Sequence, residues 1–459
     1  MEITAAKTKG VELLLGDPKK AIIKLAIPAV ISSLIGAVYQ ITDIIWVSGL
    51  GADALAVMGY VGPFFLVVMA LGSCWAAGGG INISRKIGED DKQGADELAG
   101  HTFVLTLISS VVLCLLFMVS ARPLLMMMGA EKVIDTAACM VYIIAAVAFF
   151  QMAGRAAGSI LYNEGDAKRT MTVALIGILL NIILDPVFIY VLELGVIGSA
   201  VASVVAMMVA FFVLVHWFVI KKITYISVRF KGFKFKKERV LAIFKLGLPI
   251  TLAQLVGPLA GFFIISIISD VSGTDGVAVN STGMRFKDFI LLPTLGVAHA
   301  VTTVTAAAWG SRDYDKLRVA FYYALKIGLL LTGLLSVVTF FLAPQITMIF
   351  TWSREAAHLS KDLVLFIRMF SCFYMSLTIW TTSVCFFVGI GRSIYDFLFN
   401  FLKSLLFVVP LAYIFGSYLD FGLPGVWAVI IVGMWLQALA AFVLARMYLN
   451  KFQAKGKRI

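Results

Sequence analysis

Apolar segments of twenty or more residues recur along the whole chain, and they constrain its fold more than any other feature. A backbone that crosses lipid must satisfy its own polar groups, and about 20 apolar residues make a helix that spans a bilayer. Hydrophobic residues make up 61% of the sequence and charged residues only 14%. Soluble domains carry about 25% charged residues. The sequence therefore predicts an all-α polytopic membrane protein.

The apolar segments resolve into twelve predicted transmembrane helices. Their expected limits are 22–48, 54–83, 98–119, 134–158, 170–192, 196–220, 240–269, 278–308, 318–342, 361–389, 394–416 and 422–449. All five cysteines fall inside these segments. This placement favours buried thiols over disulfides or a metal site.

The two halves of the sequence resemble each other. KLAIPA at 24–29 recurs as KLGLPI at 245–250, and DPVFIY at 185–190 aligns with VPLAYI at 409–414. We expect an N-terminal six-helix lobe at 1–220, a basic cytoplasmic linker at 221–239 and a C-terminal six-helix lobe at 240–459. Because each half has an even number of spans, the halves are parallel repeats, with a central cleft between them. Rocking of one lobe against the other would expose that cleft to each side in turn.

Lysine and arginine concentrate at both termini and in alternate loops. The opposite loops hold only Arg122, Lys132, Arg354 and Lys361. Cytoplasmic loops carry the excess of basic residues, so the pattern places both termini in the cytoplasm of a cell membrane. Basic loops that face anionic lipid also account for the net charge of +12. No nucleic-acid partner is therefore expected.

Two carboxylates inside the predicted spans, Asp43 and Asp185, are the strongest functional candidates. A charge within the bilayer costs several kcal/mol and usually has a function. Asp185 aligns with Val409 and Asp43 with about Ile264, so the second half keeps the architecture without these acids. Packing of the repeat therefore does not require them.

The neighbours of these acids are polar. Tyr39 and Gln40 precede Asp43 by four and three residues, and Asn181 precedes Asp185 by four, so each shares a helix face with its acid. Pro186 lacks an N–H and frees a carbonyl of the preceding turn. Other polar or charged residues inside the predicted spans are Ser203, Arg155, Arg285, Lys287, Asp288, Arg368 and Lys403.

If the first, fifth and sixth spans face one cavity, Ser203 joins Tyr39, Asp43, Asn181 and Asp185 in a single cluster. Such a cluster suits H⁺ binding or a Na⁺ site on Asp43, Asn181 and Asp185. The structural alternative is that each aspartate caps a kink or pairs with Arg155.

MRFKDF at 284–289 places Arg285 and Asp288 three residues apart on one helix face. They form either an ion pair facing the bundle or a gate that orients substrate. Arg155, Arg368 and Lys403 are interpreted as structural or snorkelling side chains.

Two motifs carry a resemblance to a known family. P-x(14)-D-x(2)-W-V-S-G-L-G begins at Pro28, and N-x(3)-D-P begins at Asn181. Together with the six-plus-six repeat, they resemble the multidrug and toxic compound extrusion (MATE) family, in particular the archaeal members of its DinF-like branch. The similarity extends over essentially the whole chain.

The resemblance implies a secondary antiporter, not an enzyme, that exports organic cations or amphipathic drugs in exchange for H⁺ or Na⁺ by alternating access. It implies ion coupling by Asp43, Asn181 and Asp185, supported by Tyr39 and Ser203, and bending of the first helix at Pro28. Gln40, Arg285 and Asp288 are possible substrate or gate residues. The partners would be drugs and membrane lipids, with no cofactor beyond the ion, and the protein would act as a monomer.

Two other functions compete with this one. A flippase for a lipid or a lipid-linked oligosaccharide belongs to the same superfamily, but it favours a cationic cavity over an acidic cluster. A membrane-embedded prenyl transferase needs aspartate-rich Mg²⁺ motifs. Only GEDDKQGADE at 88–97 offers one, and a solvated loop explains that segment better.

Overall fold

A computed structural model describes residues 7–228, 233–351 and 357–456, and the secondary structure of these residues is helical, without strands. The α-helices are α1 (Lys9–Leu15), α2 (Pro18–Ser48), α3 (Ala52–Gly88), α4 (Lys92–Met127), α5 (Ile134–Asn163), α6 (Ala167–Pro186), α7 (Gly195–Val215), α8 (Lys237–Gly310), α9 (Tyr314–Phe350), α10 (Ser360–Ser371), α11 (Tyr374–Gly389), α12 (Ile394–Phe401), α13 (Val409–Tyr413) and α14 (Gly422–Gly456). Short 3₁₀ turns cover Glu131–Val133 and Ala357–Leu359, and π-helical turns cover Val187–Val191, His216–Ile220, Leu402–Val408 and Ile414–Tyr418. Arg354, which the charge pattern uses, lies outside the described residues.

Two breaks reconcile the helices with the predicted spans. Ten helical segments of the described chain are long and apolar enough to cross a membrane, and α10 with α11 forms one further span bent by 44°. α8 is interrupted at Gly273, whose φ of 60° is outside the helical region. Glycine adopts this conformation without a steric cost. Division of α8 at Gly273 gives twelve spans, and the predicted fold class is confirmed.

The described chain forms two compact units. The first contains residues up to Gly16 together with Ile31–Thr251, and the second contains Asp17–Val30 together with Leu252 onwards. These limits differ from the predicted lobe boundaries in two segments. Residues 17–30 lie in the second unit, and the linker with residues 240–251 lies in the first.

In the first unit, α5 packs against α3, α4, α6 and α7. Small residues permit a close approach to α3. A Cβ on Gly80 would lie 2.6 Å from Asn163 Nδ2, and the Ser159 hydroxyl donates to the Ala76 carbonyl at 2.6 Å. Without a hydrophobic force between helices in lipid, such close packing and interhelical hydrogen bonds stabilise the bundle.

The core of the second unit includes α9, α11 and α14. Phe321, Phe386 and Phe387 are completely buried there and pack edge to face. The first part of α2 joins this unit closely, since a Cβ on Gly296 would lie 2.6 Å from Val30 Cγ2 and 3.0 Å from the Ala26 carbonyl. These contacts place residues 17–30 with α8.

The linker is fastened to the first unit by side chains that accept its backbone N–H groups. Ile226 N donates to Glu164 at 3.0 Å, Ser227 N to Asp96 at 2.8 Å, and Lys236 N to His101 Nε2 at 2.8 Å. Glu164 is 1% exposed. Burial raises the pKa of the Glu164 carboxyl to about 8, although the bond from Ile226 opposes the shift.

Candidate functional site

The predicted N-terminal cluster is built around Asp185, in the last turn of α6. Its side chain is completely buried, and that of Asn181 is 3% exposed. Pro186 follows directly and lacks the N–H that an α-helix would use, and the chain continues as the π-helical turn Val187–Val191. A carboxylate is therefore held at the point where the regular helix ends.

A hydrogen-bond chain leads to this carboxylate. In the amide orientation that satisfies both of its polar atoms, Asn181 Nδ2 donates to Asp185 Oδ2 at 3.0 Å and its Oδ1 accepts from Ser203 Oγ at 3.1 Å. Tyr39 Oη lies 3.4 Å from Ser203 Oγ. Because the serine hydrogen is used on Asn181, Tyr39 donates to Ser203, so every donor points toward Asp185.

Asp43 completes the cluster from α2. It is half-buried, and among the described residues it has no hydrogen-bond or ion-pair partner. Its charge is close enough to act on both Asp185 and Tyr39. The structure therefore brings together all five residues of the predicted cluster: Tyr39, Asp43, Asn181, Asp185 and Ser203.

The C-terminal part of α2 contacts the π-helical turn beside Asp185. The Tyr190 hydroxyl donates to the Trp46 carbonyl at 2.6 Å, and the two rings pack edge to face at 6.1 Å. A Cβ on Gly198 would lie 2.5 Å from the Phe188 carbonyl, so only glycine lets α7 approach this turn. These contacts hold Asp43 next to Asp185.

Other candidates from the sequence do not join the hydrogen bonds of this cluster. Gln40 is exposed, with no hydrogen bond among the described residues. Pro28 is buried and belongs to the second unit. The suggested pair of Arg285 with Asp288 is wrong. Lys287 Nζ binds Asp288 at 3.0 Å instead, and the same ammonium lies 5.5 Å from the Phe373 ring centre.

Sequence reasoning missed a half-buried carboxylate in the second unit. Asp396 lies near the start of α12 and accepts from Asn400 Nδ2 at 2.8 Å, and Gln437 Nε2 lies 3.5 Å from Asn400 Oδ1. The signal was present as D-x(3)-N in the eleventh predicted span, the reverse of N-x(3)-D in the fifth. The second half therefore carries a carboxylate and amide pair, at a different helix position from that of the first half.

The N-terminal cluster has the chemistry of an ion site. Two adjacent carboxylates in a poorly hydrated place do not both keep a full charge without a counter-charge, so such a pair binds a proton or a cation. No basic side chain of the described residues supplies that counter-charge. Arg155 contacts Met69 Sδ at 3.2 Å and forms an ion pair with neither aspartate.

The comparisons with known proteins agree with this architecture. The chain matches the MatE family over residues 28–187 and 249–414. The probable multidrug resistance protein YoeA of Bacillus subtilis is 22% identical over 347 residues, which cover 74% of this chain and 75% of YoeA. Crystal structures of MATE in the straight and bent conformations are 35% and 34% identical, and each gives a TM-score of 0.93. The matches cover 98% of this chain and 100% and 99% of those chains. Because the family match covers most of its length, the chain belongs to the MatE family of membrane transporters.

Proposed function

We propose that this protein is an ion-coupled exporter of organic cations or amphipathic drugs in a cell membrane, with both termini in the cytoplasm. One observation carries the proposal: Tyr39, Ser203 and Asn181 form a hydrogen-bond chain that ends on Asp185, with Asp43 alongside. Exchange of an ion at this pair supplies the free energy for export. The protein acts as a monomer among lipids and uses no cofactor beyond the ion.

The orientation of Asn181 favours H⁺ over Na⁺ as the coupling ion. Its N–H group faces Asp185 at 3.0 Å, and its oxygen is used by Ser203. A Na⁺ ion prefers oxygen ligands and would require this amide to turn. A proton needs only a carboxylate oxygen, and Asp43 offers one without a competing partner.

Bending of α2 links the ion site to export. Protonation of Asp43 and Asp185 removes their attraction for a cationic substrate and their mutual repulsion. The helix then bends near Pro28, where the missing N–H weakens the regular hydrogen bonding. The straight and bent structures of similar MATE proteins support this step. Alternating access follows when ion and substrate bind the two conformations with different affinity.

Transport by purified protein in liposomes tests the proposal. We expect an outward-directed drug flux driven by a pH gradient in the wild-type protein, and no flux above protein-free liposomes in Asp43→Asn or Asp185→Asn. The matched control is Asp53→Asn, because Asp53 is an exposed acid of the same unit paired with Lys132 at 2.7 Å. This control should transport like the wild-type protein.

Separate gradients identify the ion. A flux that follows Na⁺ and ignores the pH gradient would overturn H⁺ coupling while leaving the site in place. Wild-type transport by both aspartate variants would overturn the ion site itself. In that case, scrambling of a fluorescent phospholipid without any ion gradient would favour the flippase function.

A further inference from the structure

Arg155 is a charged residue of α5 that the ion site does not use. It lies eight residues before Asn163, about 12 Å from the end of the helix. Its side chain is exposed, whereas Met152, Ala153, Ala156 and others around it are buried. α5 is therefore packed on most sides and open at this arginine.

The guanidinium lies beside the middle of α3. Its Nη2 lies 3.2 Å from Met69 Sδ. Met69 is 17 residues from Ala52 and 19 from Gly88, so it lies about 26 and 28 Å from the two ends of α3. A snorkelling arginine would instead direct its charge toward the nearer membrane surface. The interpretation of Arg155 as a snorkelling residue is therefore not supported.

The hydrogen-bond donors at this position have no strong acceptor. Arg155 and Gln151 Nε2 both donate to the same sulfur, at 3.2 and 3.3 Å, and a thioether is a weak acceptor. Within the described ranges, no carboxylate forms an ion pair with Arg155. Arginines at such depth face a bundle interior or a water-filled cavity, because exposure to lipid is costly.

The stem of this side chain packs against α3. A Cβ on Gly72 would lie 3.5 Å from Arg155 Cδ and 3.3 Å from Met152 Cγ. The arginine stem therefore lies against α3 at Gly72, at a distance where a Cβ would make an ordinary van der Waals contact. The guanidinium and the Gln151 amide then present a set of N–H donors that matches the oxygens of a carboxylate or phosphate.

We propose that Arg155, with Gln151, binds an acidic group of the transported compound, so that the preferred substrates are zwitterionic amphiphiles and not simple cations. The inference rests on the proposed export function. The basic end of such a compound is attracted to Asp43 and Asp185 of the same unit, and its acid is bound by the guanidinium. Arg155 therefore selects the class of substrate.

Two dyes that differ only at the acid test the assignment. Rhodamine 110 carries a free carboxylate, and rhodamine 123 is its methyl ester. Binding to the purified protein is measured by fluorescence anisotropy at neutral pH. We expect the wild-type protein to bind the acid at least tenfold more tightly than the ester, since a charge-assisted hydrogen bond accounts for a factor of about ten or more.

In Arg155→Gln, we expect binding of the acid to weaken about tenfold or more and binding of the ester to change less than twofold. Arg155→Lys should retain part of the preference. Arg122→Gln removes an exposed arginine paired with Asp135 and should change neither dye. Unaltered binding of the ester also shows that the variant is folded.

Failure of the wild-type protein to prefer the acid, or an equal loss of both dyes in Arg155→Gln, would overturn the role of Arg155. A rhodamine phosphate ester added as a third probe tells which acid is preferred. Because binding needs no gradient, a failure of ion-coupled export would leave these affinities unchanged. The two proposals are thus tested separately.

Discussion

The buried Glu164 carboxyl makes the stability of this protein depend on pH. Its pKa is about 8 in the folded protein, against 4.5 for an ordinary glutamate. Burial is the main cause, and the charge of Asp166 adds to it, while the N–H of Ile226 and the charge of Arg169 oppose it. The folded protein therefore keeps a proton that the unfolded chain releases above about pH 4.5.

Because the pKa is higher in the folded protein than in the unfolded chain, the folded protein is more stable at low pH. The stabilisation is fully present below about pH 4.5 and is lost as the pH rises through 8. The loss amounts to about 1.4 kcal/mol for each pH unit, and to roughly 3 to 4 kcal/mol between pH 5 and pH 8. Glu164→Gln keeps an acceptor for Ile226 and has no proton to release, so its stability should lack this component.

The assay is the midpoint of thermal unfolding in detergent micelles, measured from pH 5 to pH 8. We expect the wild-type midpoint to fall with pH more steeply than that of Glu164→Gln. Glu131→Gln serves as the control, because Glu131 is exposed and should leave the slope unchanged. Identical slopes for the wild type and Glu164→Gln would refute the assignment of this proton to Glu164.

Two further pairs of substitutions test a helix contact and a side-chain hydrogen bond. Gly198→Ala should destabilise the protein by about 1 to 3 kcal/mol, because the new methyl group meets the Phe188 carbonyl, whereas Gly59→Ala has open space around it and should be neutral or slightly stabilising. An unfolding midpoint that falls in Gly59→Ala but not in Gly198→Ala would contradict this. Asp396→Leu should destabilise by about 0.5 to 1.5 kcal/mol, because Asn400 Nδ2 loses its bond to the carboxylate and keeps only the Asp396 carbonyl at 3.1 Å, whereas Asp396→Asn should retain most of the stability. Equal midpoints for both Asp396 variants would argue against that hydrogen bond.

The sequence predicts the grouping of the N-terminal polar cluster well, because its members follow helical spacing. Asn181 and Asp185 share a face by their separation of four residues, and the hydrogen bond of 3.0 Å between them is the expected outcome. The membrane also helps, since the cost of a buried charge makes each carboxylate stand out. Helical spacing alone does not place Ser203, because its contact depends on how α7 packs against α6.

Other features depend on tertiary contacts that leave little trace in the sequence. The hydrogen bond from Lys236 N–H to His101 Nε2 joins residues 135 positions apart, and no spacing rule predicts it. Arg285 lies three residues before Asp288, a spacing that favours a pair on one helix face, yet the adjacent Lys287 forms the ion pair in the structure. Asp396 could have been found from its spacing with Asn400.

The two compact units are joined at three points of the chain, and two of them lie inside continuous helices. The chain passes from one unit to the other between Val30 and Ile31 in α2 and between Thr251 and Leu252 in α8. Each passage comes two residues after a proline, Pro28 or Pro249, and these prolines occupy equivalent positions in the sequence repeat. A helical joint transmits torque, unlike a flexible loop, so a twist that starts in one unit is delivered to the other through both joints.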